Sequence, residues 1–170
     1  MSQETPAAPP MRFIHSVQLF LLIVASVAAF IYLGTTIGLT TGFAGFTLLW
    51  YWATVEQAEF NRLVPSVVGA LVGVGLAWLF AVLPVKFGME GLVAAYAVTA
   101  SALFVVILNW LPQAVNGATM LFVTILGAPA LLTTVNFPQL VEAVVLAAVF
   151  FAAVVYGAKV YVAARDKKAA

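Results

Sequence analysis

Charge is confined to seams in this chain. Seven basic and six acidic residues are all that 170 positions carry, and they border long uncharged runs. Forty-three residues separate Arg12 from Glu56, 23 separate Arg62 from Lys86, 51 separate Glu90 from Glu142, and 16 separate Glu142 from Lys159. A bilayer core about 30 Å thick takes a helix of about 20 apolar residues. The runs therefore hold two, one, two and one spans, and they predict an all-α polytopic membrane bundle of six transmembrane helices.

Composition supports the same class. At 65% apolar and 8% charged residues, the chain is far from a soluble domain, which is about a quarter charged. Without cysteine there is no disulfide, thiolate metal site or thiol nucleophile. A formal charge of +1, with no basic block interleaved with aromatics, excludes nucleic acid as a partner. The partners expected are the lipid bilayer, a small-molecule solute and further copies of the chain as a homo-oligomer. No cofactor is expected.

Residues 1–11 are polar and proline-rich and read as a disordered cytoplasmic arm, 12–163 as the transmembrane domain, and 164–170 as a basic cytoplasmic tail. Residues 13–33 are too long for the apolar region of a signal peptide and run into more membrane sequence, so they read as a first span. The other spans are expected at 39–54, 63–83, 92–111, 118–134 and 139 to about 161. Breaks fall at Gly34 to Gly38, at Glu56 to Arg62, at Pro84 to Glu90 and at Pro112 to Gly117. Six spans put Arg12, Arg62, Lys159, Arg165, Lys167 and Lys168 on one side and only Lys86 on the other. The positive-inside rule then places both termini in the cytoplasm. Three spans per half would orient the halves oppositely, as in 3+3 inverted-repeat transporters.

Polar residues at membrane depth are the candidates for contact with a solute, because an unpaired polar group in hydrocarbon costs several kcal/mol. Gln18, Thr40, Thr41 and Thr47 stand in the first half, and Asn109, Gln113, Asn116, Thr119 and Thr124 in the second. Phe43, Phe46 and Trp50 share a face at helical spacing, while Tyr51 and Trp52 fit an interfacial belt beside Glu56. Glycines Gly34, Gly38 and Gly42 at four-residue steps, then Gly45, Gly69, Gly73 and Gly75, fit small-residue helix packing. A second reading has Gly42, Gly45 and Gly117 leaving room for a substrate. The pathway expected is lined by Phe43, Phe46, Thr47, Asn116 and Thr119. Glu142, expected in the first turn of the last span, is either a dipole-favoured cap or a titratable site for proton coupling. Glu56 and Glu59, three apart and within reach of Arg62, read as a solvated helix end, and His15 as an interfacial polar group. No catalytic or metal-binding motif is present, so an enzyme is not expected.

Residues 42–80, GFAGFTLLWYWATVEQAEFNRLVPSVVGALVGVGLAWLF, join an aromatic and small-residue helix, a short polar connection, and a helix in which Ser66, Gly69 or Ala70, Gly73 and Ala77 stand for the form SxxxGxxxG. This stretch resembles the YcdZ-like family of bacterial inner-membrane proteins. Residues 108–128, LNWLPQAVNGATMLFVTILGA, are similar to the later helix pair of that family. At greater distance the pattern is similar to the membrane units of fusaric acid and aromatic acid exporters. The resemblance implies a small-solute permease and assigns no binding residue. From the residues themselves, the expected function is a channel or secondary transporter for a small neutral or weakly acidic organic solute. The alternative is a non-transporting membrane scaffold or accessory subunit.

Overall fold

A computed structural model describes residues 13–169, with side chains for 16–164. The expected arm at 1–11 lies outside the described residues. Six helices follow in order: α1 (Phe13–Thr36), α2 (Phe43–Thr54), α3 (Phe60–Ile107), α4 (Gly117–Leu126), α5 (Pro129–Leu132) and α6 (Phe137–Ala169). No strand occurs among the described residues. Three helices, α1, α3 and α6, are long and apolar enough to cross a membrane.

At 48 residues, α3 would reach about 72 Å if straight, more than twice a bilayer core. It is not straight. The Phe80 and Tyr96 rings lie 5.0 Å apart, although 16 residues of straight helix would separate them by about 24 Å. The reversal falls at Gly88, where φ is 59° and ψ is −134°. That conformation is strained for any residue with a Cβ. At Gly91 a Cβ would lie 2.1 Å from the Leu83 carbonyl oxygen, so only glycine lets the arms come this close. The turn thus falls inside the break expected from Pro84 to Glu90, at its glycine, while Pro84 itself stays inside the helix.

The helices found where the second and fifth spans were expected are short. The 12 residues of α2 and 10 of α4 reach only about 18 and 15 Å. Each follows an irregular stretch, at 37–42 and 108–116, and the fifth is split again before α5. Flanking chain extends α2. Thr40 bonds Gln139, and the Ala58 carbonyl accepts from Lys159 Nζ at 3.3 Å. These two anchors are about 30 Å apart along α6. The sixth helix in turn continues to Ala169, through the expected tail.

Side-chain contacts fix the directions. Phe30 meets Phe150 and Phe151, and Gln18 faces Tyr161 across one cleft, so α1 and α6 are antiparallel. The ties at Gln139 and Lys159 make α2 parallel to α6. Asn116 bonds the Pro65 carbonyl while Phe122 abuts Gly73, so α4 runs alongside the first arm of α3 in the same direction. The core between them holds Phe30, Leu48, Trp52, Phe122, Leu126, Leu140 and Val144.

Candidate substrate pathway

The start of α4 is built by its own residues. Asn116 sits in an extended conformation as N-cap and accepts from the Ala118 amide at 3.0 Å. Thr119 Oγ1 accepts from the Asn116 amide at 3.1 Å, completing a reciprocal cap. Asn116 Nδ2 also donates to the Pro65 carbonyl at 2.8 Å and to the Pro112 carbonyl at 3.2 Å. A side-chain amide has two N–H donors and one carbonyl, and here all are engaged. Thr119 is fully buried and donates to the Ala114 carbonyl. In this conformation both residues hold α4 against α3, with no spare hydrogen-bonding capacity on the Asn116 amide protons.

The three candidates on α2 face other partners. Phe46 stacks edge-on against Phe30 at 5.1 Å and tilts over Phe151 at 6.4 Å. Phe43 is half-buried against the core, and Thr47 donates back to the Phe43 carbonyl at 3.0 Å. Such back-bonding satisfies a threonine hydroxyl within its own helix. The five candidates thus form two groups on separate seams: Phe43, Phe46 and Thr47 on the helix packed against α6, and Asn116 and Thr119 against α3.

Tyr51 links the two groups, and sequence reasoning missed it. Tyr51 and Trp52 are buried and only Trp50 is exposed, which corrects the interfacial-belt reading for the first two. Tyr51 donates to Glu56 Oε1 at 3.1 Å, and Glu56 Oε2 lies 3.7 Å from Arg62 Nε. Across the seam, a Cβ on Gly117 would lie 2.8 Å from the Tyr51 hydroxyl. A polar line therefore runs from Arg62 through Glu56 and Tyr51 to the amino end of α4. Of the helix end expected at Glu56 and Glu59, the pairing of Glu56 with Arg62 is present, but both carboxylates lie in the turn between α2 and α3 and not on a helical face. The one hint to Tyr51 was its place five residues before Glu56.

At the other end of the bundle, Gln139 Nε2 donates to the Gly38 carbonyl at 3.3 Å, and its Oε1 accepts from Thr40. Gly42 is the N-cap of α2 and offers no side-chain cap. Thr41 is buried, and its hydroxyl has no partner among the described residues. Glu142 is not in the first turn of α6, which has no acidic residue. It lies one turn further on, exposed on the outer surface, away from the seam between α2, α3 and α4.

The glycines divide by face. A Cβ on Gly45 would meet Phe30 and Ala147, one on Gly69 would meet Asn116, and one on Gly73 would meet Phe122 and Thr119. Gly38, Gly42 and Gly75 have nothing within 4 Å, so the four-residue step from Gly34 to Gly42 is not a packing face. Comparison with family models, with curated proteins and with solved structures gives no match.

Proposed function

We propose that the protein is a small channel or secondary transporter for a neutral or weakly acidic organic solute, built as two oppositely oriented three-helix halves. One observation carries this reading: a long, short, long order of elements occurs twice. The first set is α1, α2 and the first arm of α3, and the second is the other arm, α4 followed by the one-turn α5, and α6. The short helices α2 and α4 run in opposite directions, each entered from a non-helical segment. Short helices paired in this way at the centre of each half are how inverted-repeat transporters build their sites. In this reading the chain crosses the inner membrane six times, with both termini cytoplasmic, and works singly or as a homo-oligomer. The pathway runs where α2, α3 and α4 meet. The likeness of residues 42–80 to the YcdZ-like family supports the same class.

The test is uptake into proteoliposomes, using urea, short amides and aromatic acids. The expected result is solute-dependent flux that falls several-fold on replacing Gly117 with Val, whose side chain would press on Tyr51 where α2 and α4 meet. Flux no greater than in empty liposomes for every solute would sink the reading. Should Glu142→Gln leave a measured flux fully sensitive to a pH gradient, that carboxylate has no part in coupling.

A second reading, a non-transporting scaffold or accessory subunit, draws on the packing. Phe30, Phe46, Phe150 and Phe151 fill the space between α1, α2 and α6, and Asn116 is saturated. The absence of flux together with stable capture of a partner subunit would favour it.

A further inference from the structure

The connection between α2 and α3 is bent against its own preference. Gln57 and Ala58, two successive residues with a Cβ, both take a φ of 53°, a left-handed conformation that side chains disfavour. Such a bend persists only where neighbours hold it. Downstream the ties need no carboxylate: the Ala58 amide donates to the Trp52 carbonyl at 2.8 Å, the Trp52 indole to the Glu59 carbonyl at 2.8 Å, and Lys159 Nζ to the Ala58 carbonyl at 3.3 Å. Upstream the tie is Glu56, one residue before the bend, with the Tyr51 hydroxyl on one carboxylate oxygen and Arg62 Nε 3.7 Å from the other. We infer that Glu56 is a proton-operated latch: as a carboxylate it holds the connection bent and Tyr51 against the amino end of α4, and on taking up a proton it lets both go.

A carboxylate only accepts hydrogen bonds. Here the Tyr51 hydroxyl donates to it and the Arg62 guanidinium balances its charge. A quarter of the Glu56 side chain is exposed, enough for a proton to reach it from water. That proton removes the charge and with it the pair to Arg62, whose half-exposed side chain passes to solvent. The bond from Tyr51 drops from a charge-assisted one to a neutral one about half as strong. Tyr51 is buried, with its hydroxyl so near Gly117 that a Cβ there would lie 2.8 Å away. Release of that hydroxyl therefore changes the contact between α2 and α4. Of the described groups around Glu56, Arg62 is the charge on α3, and Lys159 and Tyr156 of α6 are turned to the Phe60 ring. Glu59 is exposed in the same connection, and residues 108–126 carry no ionisable side chain. Where a solute passes along this seam the same proton gates it; only that consequence rests on the transport reading.

The chain has no cysteine, so spin labels can be attached through Val55→Cys and Gln113→Cys, both exposed, one just after α2 and one just before α4. The distance between them is measured by pulsed electron resonance on the full chain in detergent, with no solute added. The pH is taken from about 7 to about 4, the span in which carboxylates take up protons. A second, longer distance is expected at the acid end, with the first recovered on return to neutral pH. Glu56→Gln, which mimics the protonated acid, should show the longer distance throughout, and Tyr51→Phe should be equally insensitive to pH. Glu59→Gln should respond as the native chain does. One distance at every pH in the native chain, a shift that survives Glu56→Gln, or a change not reversed at neutral pH would overturn the inference. Because no solute is present, such a failure is separate from a failure to find flux.

Discussion

At the residue scale, similar glycines should respond in opposite ways. At Gly73 a Cβ would lie 2.6 Å from both the Phe122 side chain and the Thr119 carbonyl, so Gly73→Ala overpacks a closed seam. It should cost about 1–3 kcal/mol, read as a lowered unfolding midpoint in detergent. Gly75→Ala, two residues away in open space, should be neutral or stabilising by up to about 1 kcal/mol. Asn116→Leu removes the α4 cap and its tie to the Pro65 carbonyl, a loss of about 2 kcal/mol on the same measurement. The sequence made glycine packing legible as a pattern. It could not say which glycines face a neighbour, because that depends on which helix covers each side. The same limit hid Tyr51: a tyrosine next to Trp50 reads as a membrane-surface anchor until Gly117 is brought against it.

At the element scale, the turn in α3 falls within the break expected from Pro84 to Glu90, and the structure assigns it to Gly88. Pro84 lacks an amide hydrogen and was the natural breaker, yet the helix continues through it. Gly88 takes a positive φ of 59° with ψ of −134°, and the chain reverses there. Gly88→Ala should therefore destabilise the hairpin by about 1–3 kcal/mol through backbone strain alone, as nothing lies near its Cβ. Because the chain has no cysteine, Phe80→Cys with Tyr96→Cys can be cross-linked by a short bifunctional thiol reagent. Efficient intramolecular cross-linking is expected, and adding Gly88→Ala should reduce it. The shortness of α2 and α4 was not legible, because their apolar flanks at 37–42 and 127–136 score as membrane sequence whether or not they are helical. Tertiary ties such as Gln139 to Gly38 and Thr40 decide that instead.

At the scale of the whole molecule, the spacing of thirteen charges carried most of what the structure bears out: a helical, apolar chain with three helices long enough to cross a membrane. Arg62 pairs with Glu56, and Lys159 lies over the Phe60 ring at 4.9 Å, while Lys86 lies beside the turn of α3 at the far end. The opposed orientation of the two halves is tested most directly by single-cysteine labelling in intact cells with a membrane-impermeant maleimide. Positions Ile37, Lys86 and Asn136 are exposed at one end of the bundle, and Glu59 and Gln113 at the other. Cysteines replacing the first three should label from outside, and those replacing Glu59, Gln113 and Lys168 only after the membrane is opened. Labelling of any two successive positions along the chain from the same side would remove a crossing between them and contradict the six-pass, two-half arrangement.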